Sequence, residues 1–69
     1  MKLYIDRMNG WRIREVRMQK GITGKDLAAR IGTYPERLYK AEKGAMYLDM
    51  VEIMKIAELL ETPIEYFWT

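Results

Sequence analysis

Residues 23–44 read TGKDLAARIGTYPERLYKAEKG, and the reading of this stretch decides the fold. Thr23 is placed to cap a helix by accepting from the Asp26 amide, with the Asp26 carboxylate answering in a shortened capping box. Leu27, Ala28 and Ile31 then share one helical face, and Gly32 suits a stop. Pro35 fits the first position of a second helix and pushes Tyr34 out of helical geometry. Glu36 in its first turn and Lys40 and Lys43 in its last agree with the helix dipole. Leu38 and Ala41 point inward with Glu42, which leaves Glu36, Arg37, Tyr39, Lys40 and Lys43 on the outer side. A helix of about eight residues does not survive alone, so each of the two must dock on neighbours. Ala28, Ala29 and Ala41 supply a small-residue crossing between them. That crossing props the second helix outward, where its width matches the major groove of a DNA duplex.

The flanking sequence continues the helical period. From Gly10 to Lys20, Ile13, Val16 and Lys20 share a face with Arg17 beside them, and Gly21 reads as the stop. Asn9 is expected to cap this helix, and residues 1–8 are expected to form an extended or frayed arm. Asn9-Gly10 is also a hairpin signal that could pair residues 2–7 with 11–16. A lone hairpin is marginal, however, and residues 14–20 read as helix. Asp49 opens a helix reaching Leu60, with Met50, Ile53, Ile56, Ala57 and Leu60 at helical spacing. Thr62-Pro63 starts a last short helix, Ile64 to Trp68, within residues 61–69, with Ile64, Phe67 and Trp68 available to bury. Met18, Met46, Met50 and Met54 are read as core filling, and the five glycines as helix stops. The expectation is an all-α, five-helix domain spanning residues 1–69.

Composition excludes several classes of function. There is no cysteine and no histidine in the 69 residues, so disulfides and a Cys/His zinc site are ruled out. No nucleophile–base arrangement, close carboxylate pair or phosphate-binding glycine loop is evident, so no enzyme activity and no cofactor are expected. At 49% hydrophobic and 32% charged, the chain has the make-up of a folded soluble domain. Gly44 to Leu48 is as long an uncharged stretch as any, far too short for a membrane span. No apolar run precedes Asp6, so no secretory signal is expected. A cytoplasmic protein is expected, with no membrane partner and no small-molecule ligand. The net charge of +2 hides an asymmetry. Residues 47–69 carry Lys55 against Asp49, Glu52, Glu58, Glu61 and Glu65, whereas cations exceed acids through residues 1–46. Such a basic part attracts phosphate backbones, although helical proteins also scatter Lys and Arg for solubility.

An ordered set of residues then resembles a known family. It comprises Arg12-Ile13-Arg14-Glu15-Val16-Arg17, Lys20-Gly21-Ile22-Thr23, Leu27-Ala28-Ala29-Arg30-Ile31-Gly32 and Glu42-Lys43-Gly44. It continues through Ile56-Ala57-Glu58-Leu59-Leu60 to Ile64-Glu65-Tyr66-Phe67. The chain resembles the phage-repressor, Xre-type helix-turn-helix family. The resemblance implies five helices around one core, with residues 23–44 as the helix-turn-helix unit. It implies a dimeric repressor that places residues 35–43 in the major groove of a pseudo-palindromic operator.

The resemblance and the residue chemistry together nominate a site. Pro35, at the helix tip, with Glu36, Arg37, Tyr39 and Lys40, is assigned to base reading; Glu36 and Lys40 are the readers by position, and Arg37 and Tyr39 are read alternatively as reaching phosphates. Arg and Lys donate to guanine, and Glu accepts from cytosine. The competing account is a solvated face with an internal Glu36–Lys40 pair. Thr23, Gly24 and Lys25, at an amide-rich helix terminus, are assigned to phosphate contact, and Lys43 and Tyr47, just beyond the second helix, to phosphates of the opposite strand. Tyr34 is read either as a further phosphate contact or as packing over the turn. Arg17 and Glu42 are expected to form a structural ion pair. Ile64, Tyr66 and Trp68 are assigned to a dimer contact, extended by Val51 and Leu59. The chain departs from the family's pattern in three places. Gly24 stands where Gln is common, Tyr34 where Ser or Thr caps, and Ala45-Met46-Tyr47-Leu48 where a basic residue, Asn and Pro often follow. An exposed Met46-Tyr47-Leu48 also fits a protein-interaction module on the same fold, of antitoxin or anti-repressor type.

Overall fold

Helices α1 (Gly10–Gln19), α2 (Gly24–Ile31), α3 (Pro35–Glu42) and α4 (Met50–Leu59), followed by a 3₁₀ turn at Ile64–Phe67, make up the computed structural model, which describes residues 8–68. The all-α class holds. The expected last short helix, Ile64 to Trp68, is present as a four-residue 3₁₀ turn at Ile64–Phe67. Residues 1–7 of the expected arm, and Thr69, lie outside the described residues. Residues 11–16 are helical, so they are not the second strand of a hairpin.

Local chemistry sets the helix starts. The Thr23 hydroxyl accepts from the Asp26 amide at 3.0 Å. The Asp26 carboxylate does not close the box; it is engaged by Arg30 one turn later, at 3.3 Å. Tyr34 occupies the cap position of α3 in extended geometry, makes no capping bond and leads into Pro35. Asp49 and Glu52 form a complete capping box on α4, with bonds of 2.8 and 2.9 Å. Asn9 takes the cap position of α1 without a cap hydrogen bond from its side chain.

The core is a single cluster. Ile13 of α1, Leu27 of α2, Leu38 of α3, Ile53 and Ile56 of α4 and Phe67 of the 3₁₀ turn are fully buried in it. Helix α2 packs against α3 and α4, α1 against α3 and the 3₁₀ turn, and α4 against that turn. Met8 belongs to this core and not to an arm. It is buried and forms an antiparallel bridge with Trp68, while the Asn9 amide donates to the Phe67 carbonyl at 2.7 Å. Among the described residues, no helix is long and apolar enough to cross a membrane.

Several burial expectations fail, each for a geometric reason. Met18, Met50 and Met54 are exposed, and Met46 is only half-buried. Met18 stands about 140° round the helix from Ile13, and Met54 about 100° from Ile53. Met50, in the first turn of α4, borders Ile64, Glu65 and Trp68 at the protein edge instead of entering the core. Leu48, expected in an exposed apolar loop, is fully buried, and of that loop Tyr47 is the residue left outside with its large side chain. Ala29 is exposed, so the α2–α3 crossing uses Ala28 and Ala41.

The glycines serve two purposes. Gly21, Gly32 and Gly44 have φ of +70°, +80° and +80° and do end helices. Gly10 and Gly24 stand at helix starts and are buried. At Gly10, a Cβ would lie 1.8 Å from the Ala41 carbonyl oxygen, so the start of α1 lies directly on the end of α3.

Candidate nucleic-acid interface

The orientation of α3 follows from its partners. Successive residues turn by about 100°. Leu38, Ala41 and Glu42 therefore face inward and are buried, while Glu36, Lys40 and Lys43 form the opposite, exposed ridge. Tyr39 and Arg37 lie on the two flanks. No ion pair joins Glu36 to Lys40 among the described residues. Both instead border a shallow depression shared with Tyr34, Arg37 and Met46.

Each flank of α3 is tied to a neighbour. On the α1 side, the Arg17 guanidinium donates to both Glu42 carboxylate oxygens, at 2.7 and 3.1 Å, and to the Ile22 carbonyl at 2.9 Å. Arg17 is 8% exposed and Glu42 3%, so both charges are withdrawn from water. The hydrogen bond to Glu42 raises the proton affinity of Arg17 above its ordinary value, outweighing burial, which acts the other way. On the α4 side, Arg37 pairs with Glu52, the residue that closes the α4 capping box, and its guanidinium also reaches the Thr33 hydroxyl at 3.5 Å. Arg37 is half-buried and its charge is met.

The remaining candidates are distributed unevenly. Tyr39 lies over the start of α2, where a Cβ on Gly24 would stand 2.2 Å from a ring carbon. Gly24 is thus covered by Tyr39, and the Thr23 hydroxyl is occupied by the Asp26 amide. Lys25 is exposed in the first turn of α2. Tyr34 is 74% exposed and does not pack down over the turn. Pro35 is half-buried at the tip of α3, Lys43 ends that helix, and Tyr47 stands exposed in the following loop.

The C-terminal candidates sit on a different side. The Tyr66 hydroxyl donates to the Glu15 carboxylate at 2.7 Å, and the Arg12 guanidinium lies 4.6 Å from its ring centroid. Arg12 also donates to the Tyr66 carbonyl at 3.1 Å. The carboxylate partner pushes the Tyr66 phenol above its ordinary range. Ile64 and Trp68 are half-buried and line a depression with Met50 and Glu65. Val51 is exposed and Leu59 half-buried.

Sequence reasoning missed the contribution of α1. Arg14 lies over the exposed Trp11 ring, 5.4 Å from its centroid, and borders a depression with Arg17, Tyr39, Glu42 and Lys43. The available signal was the i, i+3 spacing of Trp11 and Arg14, which places both on one side of a helix. Their nearness to α3 is a tertiary fact, set by the contact of Gly10 with Ala41.

The helix-turn-helix family profile matches residues 13–67. The restriction-modification controller protein C.AhdI from Aeromonas hydrophila is 29% identical; the match covers 86% of each chain with a TM-score of 0.77. Bacillus thuringiensis PlcR, solved with the peptide PapR7 and DNA, is 33% identical over 84% of this chain and 20% of its own, with a TM-score of 0.77. The SinR–SinI protein complex contains a chain sharing the fold at 23% identity, over 87% of this chain and 59% of that one, with a TM-score of 0.78. No curated protein sequence matches significantly.

Proposed function

The chain belongs to the Xre-type helix-turn-helix family, and on that premise we propose that it is a DNA-binding transcription regulator. It seats α3 in the major groove and acts as a two-fold dimer on a pseudo-palindromic operator, repressing by occupancy. The observation that carries this reading is the ridge of α3. Glu36, Lys40 and Lys43 project outward from a helix whose buried side and both flanks are fixed to the rest of the domain. A helix about 10–12 Å across fills a groove about 12 Å wide, so such a ridge reaches base edges. The similarity to C.AhdI, a restriction-modification controller protein, and to PlcR, solved with DNA, supports the same reading.

Within that reading the residues divide by reach. Lys40 donates to guanine and Glu36 accepts from cytosine. Lys25, Tyr34 and Tyr47 are exposed around the ridge and meet phosphates. Arg37, already paired with Glu52, positions α3 and reads no base. The dimer forms through Ile64, Trp68 and Val51, with the partly exposed Tyr66 beside them. Two copies then meet half-sites about 34 Å apart.

Selection of bound sequences from random duplex DNA, followed by fluorescence anisotropy on the winner, tests the proposal. Lys40→Ala should lose roughly 1–3 kcal/mol of preference at one base position in each half-site. Failure to recover any preferred sequence at low salt would count against DNA reading and in favour of a protein-interaction module.

A further inference from the structure

The two flanks of α3 differ in what they offer a duplex. On the α4 side, Arg37 is neutralised by Glu52. On the α1 side, Arg14, Tyr39 and Lys43 border one shallow depression that also holds the Arg17–Glu42 pair. That pair cancels its own charge and is buried. The depression therefore carries the positive charges of Arg14 and Lys43 together with one phenol.

Two of these side chains are held in place. The Arg14 guanidinium rests on the Trp11 ring. Tyr39 is seated by the missing side chain at Gly24, because a Cβ there would stand 2.2 Å from its ring and 2.7 Å from its hydroxyl oxygen. The phenol thus occupies the space that a side chain at residue 24 would take. Its hydroxyl is directed by packing, and among the described residues no hydrogen bond to a protein group holds it.

Groove geometry then separates readers from grippers. When α3 fills the major groove, residues on its outward ridge meet the floor, where base edges lie. Residues on a flank meet the wall, where the sugar–phosphate strand runs. Tyr39 stands about 100° round the helix from Lys40, on the flank, and Lys43, at the end of the ridge, is turned about 60° from Lys40 toward Tyr39 and borders the same depression. We infer that Arg14, Tyr39 and Lys43 form a phosphate-gripping wall for the strand bordering the groove on the α1 side. Tyr39 is then a backbone ligand and not a base reader, and Gly24 acts through it. This rests on the DNA-binding reading above and deepens it by adding α1 to the interface.

The test uses the full chain and a fluorescein-labelled mixed-sequence duplex of roughly two helical turns, with anisotropy recorded across a salt series. Circular dichroism establishes that each variant is folded. Arg14→Ala should bind about tenfold more weakly, with the log–log salt slope reduced by about one per bound copy. Lys55→Ala, the same charge change on α4, should leave both unchanged. Tyr39→Phe keeps the ring and loses the hydroxyl, so affinity should fall by about three- to tenfold with no change of slope. Gly24→Ala, which displaces the ring, should weaken binding at least as much. Sequence selection with Tyr39→Phe should return the wild-type preference. A changed preference, or wild-type affinity and slope in both Arg14→Ala and Tyr39→Phe, overturns the inference while leaving DNA binding intact. Failure of the wild-type chain to bind any duplex overturns the DNA-binding reading itself.

Discussion

Replacing Glu42 by alanine should remove a large part of the folding free energy of this chain. Arg17 and Glu42 meet through two hydrogen bonds of 2.7 and 3.1 Å, and both residues are almost fully buried. Charge centres about 4 Å apart interact by about 4 kcal/mol at an effective dielectric constant near 20. Without Glu42, Arg17 keeps its bond to the Ile22 carbonyl, which holds the guanidinium inside. An uncompensated buried charge costs about 3–5 kcal/mol. A chain of this length has roughly 3–10 kcal/mol in total, so Glu42→Ala should be marginal or unfolded at 25 °C. Urea unfolding followed by circular dichroism, with the same sulfate concentration throughout, keeps weak variants measurable. A cycle through Arg17→Met, Glu42→Met and the double variant isolates the pair, and its coupling energy should exceed about 2 kcal/mol. The sign of the pH dependence also follows. The fold raises the proton affinity of Arg17, so the linked stabilisation is complete below arginine's ordinary value and is lost only as pH rises through the higher folded one. Between neutral pH and pH about 10 this group should contribute no slope. A Glu42→Ala variant within about 1 kcal/mol of wild type, or a coupling near zero, would refute the reasoning.

Three further outcomes are expected. Gly10→Ala should lose about 1–3 kcal/mol or more in thermal melts, because its Cβ would meet the Ala41 carbonyl oxygen at 1.8 Å; an unchanged melting temperature contradicts the close contact. Glu61→Gly should gain about 0.5–1 kcal/mol, since Glu61 holds φ of 52° at the end of α4 and its 3.8 Å contact with Lys20 is exposed and weak. A loss on that substitution contradicts the strain assigned there. Glu15→Gln should bring the Tyr66 ionisation down toward the ordinary value near 10, read from phenolate absorbance, because the Glu15 carboxylate is the chief cause of its rise. As the folded value is the raised one, the contact's stabilisation is complete below the ordinary tyrosine value and is lost as pH climbs through the folded one; an unmoved midpoint in Glu15→Gln contradicts the cause.

The helices were legible because short-range chemistry specifies them. Thr23, Pro35 and Asp49 mark three starts, and Gly21, Gly32 and Gly44 mark three stops. The glycines also show where that reading ran out. A glycine serves equally to adopt positive φ or to let another chain segment approach, and the sequence does not separate Gly32 from Gly10. Apolar period places the end of α4 near Leu60, yet that end is made by Glu61 at positive φ, a residue with no turn signal. Leu48 was hidden for another reason. It lies between helices, where no period marks it, and long-range packing alone buries it. At the candidate interface, the outward ridge of α3 was readable from Leu38, Ala41 and Glu42. The contacts that fix the flanks were not, because Arg37 and Glu52, or Gly24 and Tyr39, are joined across 15 residues by tertiary structure.

The two ion pairs on α3 have opposite polarity, and that bears on what they do. Helix α3 presents a carboxylate, Glu42, to α1 and a guanidinium, Arg37, to α4. Its apolar contacts through Leu38 and Ala41 are non-directional, and an eight-residue helix supplies little stability of its own. A one-turn slip, or a roll about its axis, would preserve much of the apolar burial but set Glu42 and Arg37 against the wrong neighbours. The charges therefore specify orientation more than they add net stability, since matched apolar replacement of a buried pair is often neutral or stabilising. This gives the double variant Arg17→Met with Glu42→Met a distinctive expectation. Its urea midpoint should lie near or above that of wild type, while its affinity for duplex DNA falls, because α3 must then be ordered at the moment of binding. Equal affinity in the double variant would mean that apolar packing alone aims the helix.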